Sequence, residues 1–256
     1  MSSIKKLSAV VITYNEEKHI ARCIDSLTQV ADEILVIDSF STDATKEICL
    51  LKGVKFIENT FEGHIEQKNF AAKSASHDFV LSLDADEELS EELIAFILRE
   101  KAHFKSDAYK FNRLNNYCGQ WIKHCGWYPD KKIRLWDRQK GKWGGTNPHD
   151  KIVLDKNATI QYHNADIKHY TFQNLNEHVD QIHYFTTISA SASYQKGKKV
   201  GIFKIVLSPF TKFIHCYVFQ LGFLDGFFGF VICINNGYYS FLENLKLWDL
   251  HQKGKD

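Results

Sequence analysis

Proline is scarce in this 256-residue chain, with three residues, and methionine scarcer, with one. No charge of either sign dominates: the net charge is +1. A balanced chain lacks the broad positive field of bulk nucleic-acid binders, so no nucleic acid is expected as partner. The six cysteines (Cys23, Cys49, Cys118, Cys125, Cys216 and Cys233) include no Cys-x-x-Cys pair. Cys118, His124 and Cys125 fit no usual zinc spacing, and free thiols in a reducing cytosol are the expected state. Near the N-terminus the apolar run 9–12 is far too short for a secretory signal. Internal repeats are missing. So are Gly-x-Gly-x-x-Gly and the Walker loop, which disfavours dinucleotide and P-loop chemistry.

What is present is alternation. Residues 8–13 are apolar and β-branched on successive positions, as in parallel strands covered on both faces. Tyr14-Asn15-Glu16-Glu17 breaks the run, and Ile20, Cys23, Ile24 and Leu27 then mark one helical stripe. Residues 34–38 read as a second strand. Ser41-Thr42-Asp43 supplies N-cap chemistry for a helix carrying Ile48 and Leu51. A strand at 54–57, a helix over 66–75, a strand at 79–83 and a helix capped by Ser90 complete four such units. This order predicts an α/β fold with a mostly parallel, Rossmann-like sheet and helices on both faces.

The fourth strand ends in Asp84-Ala85-Asp86-Glu87-Glu88. In open α/β sheets the carboxyl edge of the strands is where ligands bind. Two carboxylates one residue apart can hold a hard divalent cation that bridges phosphate oxygens, although an exposed acidic loop capping the next helix is also compatible. Asn15-Glu16-Glu17 after the first strand and Asp38 at the end of the second fall at the same edge, so three polar ends converge on one crevice.

After Ser106 the texture changes to short strand-like pieces at 109–114, 132–136, 151–154, 159–163 and 166–170. A helix from Asn174 carries Leu175, Val179, Ile182 and Phe185, and a basic break at 195–199 follows it. Trp121, Trp127, Trp136 and Trp143 are candidates to stack on acceptor sugar rings or, equally, for ordinary packing.

Val10-Val11-Ile12-Thr13-Tyr14-Asn15-Glu16-Glu17, Ile37-Asp38-Ser39-Phe40-Ser41-Thr42-Asp43 and Asp84-Ala85-Asp86 resemble the three signatures of family-two inverting glycosyltransferases with the A-type fold. The nearest likeness is to bacterial lipopolysaccharide core glucosyltransferase-like proteins. Gln67-Lys68-Asn69-Phe70-Ala71, Trp143-Gly144-Gly145 with Pro148-His149-Asp150, and Gly222-Phe223-Leu224-Asp225-Gly226 are similar to further motifs of that subgroup. The resemblance implies a nucleotide-sugar donor of UDP-glucose type, bound by Thr13, Asn15, Glu16, Glu17, Asp38 and Asp84. It also implies Mg²⁺ or Mn²⁺ on Asp86, with Asp84 beside it; His169, after a late strand, is a candidate further ligand or simply a structural histidine. Lys68 would add positive charge at the diphosphate. Asp150, next to His149, would be the base that takes the acceptor proton; the subgroup carries His-Glu there, one methylene longer, and Glu87 and Glu88 are the rivals. Phe40 stands where relatives often have glycine, and Ser39 where many have a second aspartate.

The last stretch is aromatic. Residues 202–207 and 213–242 are strongly apolar, with Asp225 in the middle of the second run and lysines 196, 198, 199, 204 and 212 on one side. Basic flanks around such a segment suit the surface of an anionic membrane, the alternative being a helical hairpin packed on protein. The expectation is a catalytic domain over 1–195 and an aromatic helical extension over 196–256. The protein would lie on the inner face of the cytoplasmic membrane and act on a glycolipid acceptor such as the lipopolysaccharide inner core. A protein acceptor, or a non-catalytic nucleotide-sugar-binding protein, is the alternative.

Overall fold

The structure, a computed structural model, describes residues 5–146 and 149–253, with only the backbone of His149. Strands β1 (Leu7–Thr13), β2 (Glu33–Asp38), β3 (Lys55–Glu58) and β4 (Phe79–Asp84) form a parallel half-sheet in the order β3-β2-β1-β4. Helices α1 (Ile20–Thr28), α2 (Thr45–Leu51) and α3 (His64–Ser74) are the crossovers. The continuous apolar runs are explained by two-sided burial. Leu7, Ala9 and Val11 of β1, with Phe79, Leu81 and Leu83 of β4, enter one core that includes Ile20, Ile24 and Leu27 of α1. Val10 and Val80, one residue out of phase, enter the other, with Ala71 and Ala72 of α3.

The same sheet then continues antiparallel, so the expected α/β architecture is present with an antiparallel second half. After a turn at 85–86 come β5 (Glu87–Leu89) and α4 (Glu91–Lys101), whose Ser90 N-cap accepts from the Leu93 amide. β6 (Ala108–Tyr117), β7 (Gln120–Ile122), β8 (Asp130–Asp137), β9 (Gly141–Thr146), β10 (His149–Leu154) and β11 (Ile160–Phe172) follow. β8 runs against β4, Leu81 facing Leu135, and β11 runs against β5, His169 facing Glu87. The separate pieces expected at 159–163 and 166–170 are one strand. Asn164 does not break it because its Oδ1 accepts from Asn112 and from the Tyr162 hydroxyl within the sheet.

The chain forms two compact units, residues 1–113 with 130–169, and 114–129 with 170–256. The second unit holds α5 (Leu175–Gln195), α6 (Ile202–Ile214) and α7 (Gly226–Lys253). A π-helical turn (His215–Phe219) and a 3₁₀ turn (Gly222–Asp225) lie between α6 and α7. Its core gathers Tyr117, Ile122, Cys125, Phe172, Cys216, Ile232 and Cys233. His178 lies flat on Phe172 and is bonded to the Tyr117 hydroxyl and the Asn235 amide. Burial pushes its pKa down to about 4, so it is a neutral structural imidazole. Much of the aromatic stretch stays exposed: Phe203, Phe210, Phe219 and Phe227 are 64–85% accessible. Residues 202–219 are helix long and apolar enough to cross a membrane by length and composition.

Candidate active site

Strand register brings the first group together. Thr13 faces Asp38 across β1 and β2, and Ile12 faces Asp84 across β1 and β4. Asp38 is buried and accepts from the Ser41 amide and hydroxyl, which closes the loop after β2. That loop is stitched to the one after β1. Asn15 receives the Thr42 amide at 2.8 Å and gives its own amide to Ser41 Oγ, while the Glu16 amide donates to Thr45 and the Glu17 amide to Asp43. Glu17 returns the bond by accepting from the Ala44 amide. These residues build the rim, and the buried Thr13 hydroxyl is left without a partner. Phe40 adopts φ +63° in spite of its side chain, so the turn keeps the left-handed geometry that glycine would provide. The cost is about 1 kcal/mol, and the ring projects into solvent.

The second group surrounds the acidic turn. Asp84 is held from both sides, Oδ1 by Lys68 at 2.9 Å and Oδ2 by Arg134 at 2.8 Å. Burial opposes its ionisation, but the two cations hold its carboxyl well below the usual carboxylate range. Lys68 also reaches Asp150 at 2.8 Å and lies over the Trp143 ring. One lysine thereby joins a strand-four carboxylate to one on β10. Asp86 points elsewhere, to His169 Nε2 at 3.0 Å. Burial again works against its charge, and the imidazole outweighs it, lowering the pKa.

Glu87 and Glu88, the rivals to Asp150, are both held in ion pairs. Glu87 is buried, accepts from Arg134 at 2.6 Å and from the Asp84 amide, and lies 3.6 Å from Arg113. Glu88 pairs with Arg22 and Lys168. Asp150 is the carboxylate that lines the cavity with Asp84. The His149 side chain, the other residue expected there, lies outside the described residues.

Arg134 is the residue that motif reading missed. It is 3% exposed and balances Asp84 and Glu87 together. Its signal was local: a charged residue set between Ile133 and Leu135-Trp136 in a buried strand needs partners. Asn69 was also missed as a clamp, since its amide group donates to the Trp143 carbonyl and accepts from the Trp143 amide. Of the tryptophans, Trp136 is core, whereas Trp143 lines the cavity with its indole N–H buried and unpartnered. Trp121 meets Tyr170 edge-to-face, and Trp127 packs near Tyr117 and Phe172 in the second unit.

The cavity measures about 650 Å³. Lys68, Lys110, Arg113, Lys131, Lys132, Arg134 and Lys151 line it against Asp84 and Asp150. So strong an excess of positive charge, in a chain of net charge +1, suits an anionic ligand. The donor types at the acidic turn are ones that a hard divalent cation takes, although among the described residues Asp84 does not close a three-residue group with Asp86 and His169. Asp86 and His169 present a carboxylate oxygen and an imidazole nitrogen to each other at 3.0 Å.

Residues 8–159 match the model of the glycosyl transferase family 2. An uncharacterized glycosyltransferase of Rickettsia typhi is 31% identical over 99% of this chain and 90% of its own length. A lipopolysaccharide core biosynthesis glycosyltransferase of Rhizobium meliloti is 26% identical over 96% of this chain and 93% of its own. Among solved structures, S. aureus TarS 1–349 with UDP-GlcNAc is 15% identical, with a TM-score of 0.47 over 97% of this chain and 92% of that one.

Proposed function

The chain belongs to glycosyl transferase family 2, and on that premise we propose a metal-dependent inverting hexosyltransferase that moves glucose from a UDP-glucose-like donor to an anionic glycolipid. The observation that carries this reading is the Lys68 bridge between Asp84 and Asp150. It sets a candidate base beside the edge where the leaving nucleotide would sit. Thr13, Asn15, Glu16, Glu17 and Asp38 form the nucleoside rim, and the unpartnered Thr13 hydroxyl offers it a hydrogen bond. Asp86 and His169, with Asp84 beside them, would hold Mg²⁺ or Mn²⁺, which stabilises negative charge on the departing diphosphate. Lys68 adds a fixed positive charge there without reorganisation. On the opposite face of the sugar, Asp150 takes the proton of the acceptor hydroxyl as its oxygen bonds to the anomeric carbon and the bond to the diphosphate breaks. Lys68, paired with Asp150, keeps that carboxylate oriented in the resting site.

The acceptor assignment rests on the basic cavity rim and on the likeness to the lipopolysaccharide core relative. We further propose that residues 1–195 carry catalysis and that 196–256 dock on the inner face of the cytoplasmic membrane. The exposed phenylalanines, beside Lys204 and Lys212, would enter the headgroup boundary of an anionic leaflet. Two experiments test this function. A thermal-shift panel of nucleotide sugars with Mn²⁺ should show a Tm rise with UDP-glucose, because ligand binding stabilises by mass action. No response to any nucleotide sugar would reject the donor assignment. Co-sedimentation with anionic vesicles should be lost in the Phe203→Asp/Phe210→Asp variant, and unchanged binding would reject the docking face.

A further inference from the structure

Three cysteines far apart in sequence meet inside the second unit. Cys125 comes from the segment after β7, Cys216 from the π-helical turn, and Cys233 from α7. Their sulfurs all lie within 4.8 Å of one another, with Cys216–Cys233 at 2.9 Å and Cys125–Cys233 at 3.9 Å. All three side chains are at most 2% exposed. We propose that Cys125, Cys216 and Cys233 form a tris-thiolate site for one thiophilic d¹⁰ cation, Zn(II) or Cu(I).

Three observations distinguish this cluster from cysteines used as small apolar fillers. First, the geometry is near that of a metal site. Metal–sulfur bonds of about 2.3 Å place sulfurs roughly 3.8–4.0 Å apart. The Cys125–Cys233 separation already has that value, and Cys216 and Cys233 need to part by about 1 Å, a modest side-chain rotation. Second, the cluster has an outer shell. The Asn236 amide donates to Cys216 Sγ at 3.3 Å, as polar groups around thiolate ligands do. Asp225 Oδ2, 3.9 Å from Cys125 Sγ, is held by the His124 amide at 2.8 Å and fixes the backbone that carries Cys125. Third, the backbone is shaped around the sulfurs. Cys216 sits in a π-helical turn, a rare form enriched at functional sites. A Cβ on Gly222 would stand 2.6 Å from Cys233 Sγ and 3.1 Å from Cys125 Sγ, so only glycine fits against the cluster. Thiolates select soft cations over the hard Mg²⁺ or Mn²⁺ of the proposed catalytic edge.

The test uses the full-length protein, stripped with a chelator under reductant and then loaded with Zn(II) or Cu(I) in separate arms. One equivalent should bind, with thiolate-to-metal charge-transfer absorption in the Cu(I) arm and, for Zn(II), in a Co(II)-substituted sample. Binding should raise Tm, and competition with chelators of known affinity ranks the two ions. Cys216→Ser and Cys233→Ser should lose the absorption and the Tm rise, whereas Cys118→Ser should keep both. Should a cluster variant fail to fold, thiol counting on the wild type decides. Three of the six thiols should become unreactive on metal addition and be released by chelator. An equal response in the cluster variants, no stoichiometric binding, or a Cys216–Cys233 disulfide in protein kept under reductant would each overturn the proposal.

Discussion

Glu33 and Asp84 are carboxylates at opposite ends of the same parallel strands, and they are satisfied in opposite ways. Glu33, at the start of β2, accepts from the Ser8 hydroxyl and from the Ser76 amide and hydroxyl, and it touches Lys55. Burial opposes its charge, but those donors bring its pKa down to about 2. Its bonds tie β1, β2, β3 and the entry to β4 together, beside a separate cavity of about 510 Å³ lined also by Lys52 and His77. Asp84, at the carboxyl edge, is held instead by two buried cations beside a 650 Å³ cavity. Unpartnered N–H and O–H groups of Trp143 and Thr13 lie among the same lining and edge residues. A carboxylate closed by hydroxyl and amide donors and one exposed lysine is a strap. One held by cations that also reach other carboxylates is part of a site.

The contrast breaks hardest at Asp86. Asp86→Ala should cut transfer by about 10³-fold or more, with the folded state kept, since the change removes stabilisation of the leaving group alone. Full activity in excess chelator would refute the metal role. Arg134→Met should be the most damaging change to the fold at the carboxyl edge, leaving Asp84 and Glu87 buried without their shared cation at a cost of about 3 kcal/mol. Urea denaturation measures it. Asp150→Asn should leave UDP binding intact and lower turnover by about 10²-fold; an undiminished rate would remove Asp150 as the base.

At the other edge, Glu33→Gln should cost about 1–2 kcal/mol at pH 7 and leave kcat untouched. Because the folded pKa is depressed, this stability is present above the unfolded value near 4.3 and is lost as pH falls towards 2. Melting curves of wild type and variant should therefore converge over that window. The smallest effect is expected from Phe40→Gly, which relieves the φ +63° backbone and should raise Tm by about 1–3 °C.

The parallel half of the fold was legible because β1, β2 and β4 are buried on both faces and so carry near-continuous apolar runs, interrupted only by the small Ser8 and Ser82. Polar residues ending those runs had to collect at one edge, which is why Asp38 and Asp84 could be aligned without coordinates. Partner choice was not legible. Sequence adjacency made Glu87 look as available as Asp86, but the turn at 85–86 sends Asp86 to His169 while β5 turns Glu87 inward to Arg134. Asn164 looked like a strand end because its side-chain bonds are made across the sheet. The three clustered cysteines looked scattered because their convergence depends on packing between a loop, a π-helical turn and α7.

On the proposed function, the carboxyl edge and not the amino edge holds a metal–nucleotide complex. Calorimetric titration of UDP in the presence of Mn²⁺ tests it directly on wild type, Asp86→Asn and Glu33→Gln. Wild type and Glu33→Gln should bind with matching affinities, and Mn²⁺-dependent binding should be lost in Asp86→Asn. Equal binding in Asp86→Asn, or an equal loss in Glu33→Gln, would contradict it.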